Sequence, residues 1–161
     1  MHTRALFLSA LMASTGADLA QGADTAPLHA TGVFDVKVAP QAPDNDPAKA
    51  AALGRLSLDK QFHGDIDGTG KGEMLAAGDG KTSGAYVALE RISGTLKGRK
   101  GSFVLVHRAL MINGEPREWT VDVVPDSGTD DLKGLAGSMK IVIANGKHNY
   151  DLTYTLPAGK G

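Results

Sequence analysis

The sequence predicts an all-β protein, a closed eight-stranded antiparallel meander barrel with a short helical turn between its first two strands. Three observations carry this. Apolar and polar residues alternate with period two in a series of short runs, the pattern of half-buried strands. Turn-forming pairs such as Asn113-Gly114 and Asn145-Gly146 separate those runs at short, regular spacing. Helical periodicity is scarce, and 21 glycines and 7 prolines among 161 residues suit strands and turns. Eight consecutive hairpin strands expose two edges unless the first pairs with the last, so closure is expected.

Bulk properties narrow the function classes. Met1 to Arg4 is a short positive region, Ala5 to Ala13 is apolar, and small residues follow. That is the layout of a secretory signal peptide over residues 1–22, and the apolar run is too short to cross a bilayer. The expectation is an exported protein, periplasmic or secreted, with no membrane span. Residues 23–30 are expected to be a flexible mature N-terminus, 31–157 the single barrel domain and 158–161 a flexible tail. Without cysteine the chain has no thiolate chemistry and no Cys-based zinc site. A net charge of −1 supplies no field to draw nucleic acid.

The elements follow in order. Thr31 to Val38 alternates as a first strand. Pro40, Pro43 and Pro47 interrupt the next segment, where Asp46 before Pro47 can cap one or two helical turns over Ala48 to Leu53. Arg55 to His63 is the second strand, with Leu56, Leu58, Lys60 and Phe62 on one face. Asp65-Ile66-Asp67-Gly68 opens like a calcium loop, but Ala76 stands where the closing glutamate belongs, so Gly64 to Gly70 reads as a turn and bulge. Lys71 to Ala77 is the third strand, and the fourth starts near Ser83.

The stretch Ala85 to Ile112 reads as a hairpin about Gly98-Arg99-Lys100-Gly101, with Lys97 opposite Ser102 and Glu90 opposite Ala109. One face is apolar except for Glu90 and His107, which lie one diagonal step apart. On the other face, Val87, Val104 and Val106 form either a candidate homodimer surface or simply β-propensity expressed on an exposed face. After Asn113-Gly114 the sixth strand carries Trp119, Val121 and Val123 on one side and Thr120 and Asp122 on the other. A bulge is favoured, since it turns the tryptophan inward. Ser127 lies in no nucleophile elbow or phosphate cradle and is read as a turn or capping residue. Gly134 to Ala144 and Lys147 to Leu156 complete the set, the last with Tyr150, Leu152, Tyr154 and Leu156 on one face.

Several runs together resemble a known family. They are Phe62 to Gly68, Ala85 to Arg91, Gly94 through Gly98, Gly101 to Leu105 ending in His107, Ser127-Gly128-Thr129 with Leu132, and Gly134 to Gly137. In this order they resemble the bacterial family named domain of unknown function 3224, across roughly Gly32 to Leu156. The resemblance implies an allene oxide cyclase-like barrel with an axial cavity, and it places Glu90 and His107 on the family's recurring Glu and His. It implies no agreed activity. The chain departs from the family pattern at Ala39 to Pro43 and at Asp126.

Three readings follow. The first is a cavity for a small, mostly apolar molecule, lined by Tyr86, Glu90, His107, Trp119 and Tyr154. Within it, Glu90 and His107 are the candidate catalytic pair for acid-base chemistry of the isomerase or cyclase type. The second is a non-catalytic, structural or oligomeric barrel in which Glu90 and His107 belong to a buried network. The third is a hydrolase of the aspartic-peptidase kind, with two carboxylates from Glu90, Asp122 or Asp151 brought together across the barrel or a subunit interface to activate water. His63 and His148 are read as surface residues, and no metal or cofactor is expected.

Overall fold

The computed structural model describes residues 26–79 and 81–158. Eight strands run in chain order: β1 Leu28–Gln41, β2 Gly54–Gly64, β3 Ile66–Gly78, β4 Ser83–Leu96, β5 Arg99–Ile112, β6 Glu115–Val123, β7 Ala136–Ala144 and β8 Lys147–Thr155. Each pairs antiparallel with its sequence neighbour, and β1 pairs with β8 to close the barrel. Period-two alternation sends one set of side chains inward from every wall. The short helix α1, Asp46–Ala51, lies between β1 and β2. The leader expected over residues 1–22 lies outside the described residues.

Four local expectations are corrected. β1 begins at Leu28, inside the segment expected to be flexible, because Leu28 and Ala30 pair with Tyr154 and Leu152 of β8. Helix α1 is capped by Asn45, whose side chain accepts from the Ala48 N–H, rather than by Asp46. β3 starts at Ile66, so Ile66 to Gly70 is strand where a turn and bulge was expected. Its glycines hid the alternation, and pairing on both sides supplies the order: Gly70 faces Lys60 of β2 and Ile92 of β4.

The β4–β5 turn is Lys97-Gly98, shorter than the expected four-residue loop, with both residues at positive φ of 47° and 81°. That two-residue geometry matches the twist of the flanking strands. It sets Glu90 opposite Leu105, not Ala109. Both loops have an even number of residues, so no side chain changes face. His107 remains a diagonal neighbour of Glu90. In β6 the register shifts between Arg108 and Leu110, and Glu118 takes a positive φ of 49°. This bulge turns Trp119, Val121 and Val123 inward, as the apolar side of the strand requires.

One end of the barrel is solid. Phe62, Ile66, Ile92, Leu96, Phe103, Leu105, Leu152 and Leu156 pack there, with Leu132 and Leu135 of the β6–β7 connection pressed beneath. Ser127 ties that connection to β5: its hydroxyl accepts from the Val104 N–H and donates to the Val124 carbonyl. The opposite end, bounded by the turns at Asn113-Gly114 and Asn145-Gly146, is not filled.

Candidate functional site

The unfilled end is a cavity of about 380 Å³. Its walls are mostly apolar, among them Val36, Leu58, Met111, Trp119 and Ile141, and a small polar group stands where the cavity meets the packed core. That group is Lys60 of β2, Glu90 of β4 and His107 of β5. Period two points all three inward, and their strands bring them to one level. Glu90 is fully buried at 0% exposure, while Lys60 and His107 retain 6% and 4%.

One carboxylate oxygen serves both partners. Lys60 Nζ donates to Glu90 Oε2 at 2.7 Å, and His107 Nε2 donates to the same oxygen at 3.0 Å. The ammonium also stands 4.5 Å from the centre of the Phe34 ring, a cation–π contact. Burial alone would push the Glu90 carboxyl up; the His107 hydrogen bond and the Lys60 charge overcome it and hold the group below the ordinary carboxylate range. Glu90 is therefore ionised at neutral pH, beside a cation with two N–H groups left over.

The carboxylate has room because β3 presents glycine opposite it. A Cβ on Gly70 would collide with Glu90 Oε1, so only glycine lets the side chain lie there. Among the described residues that Oε1 atom has no hydrogen-bond partner, and neither has Trp119 Nε1. His107 lines the cavity, and its Nδ1 makes no hydrogen bond to the described residues. Higher in the cavity wall, burial pushes the Tyr86 hydroxyl's pKa up, and the nearby Trp119 indole tempers this without reaching hydrogen-bonding geometry.

Of the residues predicted from sequence, the structure brings Tyr86, Glu90, His107 and Trp119 together around this space. Tyr154 is not among them. It is buried in the solid end, against the β7–β8 wall, because the cavity takes in β8 only as far as His148. Sequence reasoning missed Lys60, although it interrupts the apolar face Leu56, Leu58, Phe62, which was a readable signal. It also placed His148 on the surface; the ring stacks on Phe34 at 5.0 Å and lines the cavity. No signal in sequence separates that strand-end histidine from an exposed one.

Within a single barrel the two-carboxylate arrangement is corrected. Asp122 and Asp151 lie on the outside of the barrel, where Ser138 and His29 bond them, while Glu90 is inside. Among the described residues no three or more His, Asp or Glu gather in a metal-like cluster, and no helix is long and apolar enough to cross a membrane. A larger depression of about 730 Å³ lies outside, between α1 and the exposed Leu75, Val87 and Leu89. Its charged residues satisfy one another, Arg55 bonding Asp44 at 2.9 Å and Glu73 at 3.0 Å, so it offers no free polar group for chemistry.

The family model described as protein of unknown function (DUF3224) matches residues 30–154. The chain belongs to that family. It is also similar to a crystal structure from Shewanella oneidensis MR-1, described as a protein with unknown function from the same family. There the identity is 39%, the TM-score 0.72, and 82% of this chain and 99% of that chain are covered. No curated protein matches the chain. The related crystal structure shares the fold and carries no stated function.

Proposed function

We propose that the barrel binds one small, mostly apolar molecule in its open end, with the ligand's polar group directed at Lys60 and His107. The observation that carries this is the coincidence of an unfilled apolar space with an ionised, fully buried carboxylate at its floor. Ligand sites have this composition: apolar walls with a few convergent polar groups. An eight-stranded barrel is wide enough to be filled by side chains or to hold one small ligand, and this one is filled at one end only. Glu90 and His107 suit acid-base chemistry of the isomerase type on such a ligand, Glu90 orienting the imidazole. The reading places the protein outside the cytoplasm, following the leader at residues 1–22, and N-terminal sequencing of the exported form tests that point.

Native mass spectrometry of protein purified gently from its own host tests the binding. A stoichiometric small-molecule adduct is expected, and it should be absent in Met111→Trp, which fills the cavity from the β5 wall and leaves Lys60, Glu90 and His107 untouched. An adduct that persists undiminished in that variant would put the ligand elsewhere and refute the reading.

A further inference from the structure

We infer that the cavity takes carbonyl compounds with an acidic C–H beside the carbonyl, and that His107 and Lys60 together move that proton. The inference rests on the cavity reading above and goes further by naming a substrate class and a step. Two features of the geometry lead to it. His107 gives its Nε2–H to Glu90, which leaves Nδ1 as the nitrogen that can accept a proton, on a ring that lines the cavity. Lys60 bonds the same Glu90 oxygen, which fixes its ammonium on the same level of the barrel as the imidazole. A base and a cationic donor thus face one apolar chamber from neighbouring positions.

Those two groups match the two needs of enolisation. The C–H bond next to the carbonyl breaks, and its proton goes to His107 Nδ1. The electron pair moves into the new carbon–carbon double bond, and the carbonyl π electrons move to oxygen. The resulting enolate oxygen is held by a free N–H of Lys60, a charge already in place beside an apolar chamber. Glu90 is a positioning residue: it holds the imidazole tautomer and balances the imidazolium formed in the step. His107 then returns the proton to the same carbon, giving exchange or racemisation, or to a conjugated carbon, giving isomerisation. No oxidant, reductant or second substrate is consumed. Lys60 acts here as a hydrogen-bond donor, its Nζ already bonded to Glu90 Oε2, and not as an amine nucleophile.

The test uses the whole chain in deuterated buffer with acetophenone and phenylacetone as probes. Proton NMR follows loss of the signals beside the carbonyl, and saturation transfer in the same sample reports binding. The expected result is binding of at least one ketone with exchange well above the buffer rate. His107→Gln should lower that exchange by about 10²-fold or more while the ketone still binds. Met111→Trp, which leaves the three polar residues in place, should abolish binding and exchange together, so the test stands even if the His107 variant fails to fold. Ketones that bind without accelerated exchange, or exchange that survives in folded His107→Gln, would overturn the inference and leave the binding function intact. If neither ketone binds, this substrate class is refuted, while an adduct in the native spectrum still upholds the cavity.

Discussion

Replacing Lys60 by methionine tests the electrostatics of the cavity floor most directly. The substitution keeps the length and apolar stem of the side chain and removes only the cation that sits 2.7 Å from Glu90 Oε2. Glu90 stays at 0% exposure with His107 as its single partner. Breaking a buried ion pair from one side costs about 3–5 kcal/mol, most of it the burden of the stranded charge. The pH dependence should then invert. In the native protein the Glu90 carboxyl lies below its ordinary value of 4.5, so its contribution to stability is present above that pH and is lost as pH falls through the lower folded value. In Lys60→Met burial dominates, the folded carboxyl rises above the unfolded one, and stability falls as pH rises through the unfolded value. Urea unfolding followed by the fluorescence of Trp119, the sole tryptophan, measures both effects. The double variant Lys60→Met/Glu90→Gln should recover most of the loss and flatten the pH dependence. A single-variant loss below about 1 kcal/mol, the range of an exposed pair, would refute the claim that this pair is desolvated.

Two further substitutions probe how the walls make room for that pair. Gly70→Ala puts a methyl group into Glu90 Oε1, and the forced shift of the carboxylate should cost about 1–3 kcal/mol, read as a lower urea midpoint at unchanged slope. Tyr150→Phe removes the hydroxyl that accepts the buried Ile66 N–H at 2.8 Å at the start of β3. Leaving that N–H unpaired should cost about 1–3 kcal/mol, and hydrogen exchange should locate the loss at the β2–β3 turn.

Much of the fold was legible because period-two patterning and turn chemistry are local. Asn113-Gly114 and Asn145-Gly146 mark two hairpins outright, and the choice of an inward Trp119 required the β6 bulge that the structure contains. Register was less legible. Lys97-Gly98 and a longer loop through Gly101 are both reasonable turns, and only the twist of the paired strands chooses between them. Parity protected the site from that error, since either loop keeps Glu90 and His107 on one face. Ile66 to Gly70 failed for a different reason: glycines carry no side chain to alternate, so a strand that exists to be close to its neighbours looks like a turn. Lys60 and His148 escaped because a side chain's membership in a cavity depends on which end of the barrel is packed. That is decided by residues far away in sequence, such as Leu132 and Leu135, which plug the other end.

The same distribution of packing bears on why the polar cluster is there. A buried Lys-Glu pair is a poor device for stability, since apolar residues of similar volume commonly do as well or better. Here the pair also requires glycine at position 70 and leaves Glu90 Oε1 without a partner, both of which cost stability. Leucine and phenylalanine fill the other end of the same barrel without any such device. The cluster stands instead at the level where the interior changes from packed to open, with Lys60 and His107 both lining the space. A structural network would be complete within the protein, and this one is not. The double variant Lys60→Met/Glu90→Gln separates the two roles: a network kept for folding predicts that stability and ligand retention recover together. The cavity reading predicts that stability recovers and the adduct in the native spectrum does not.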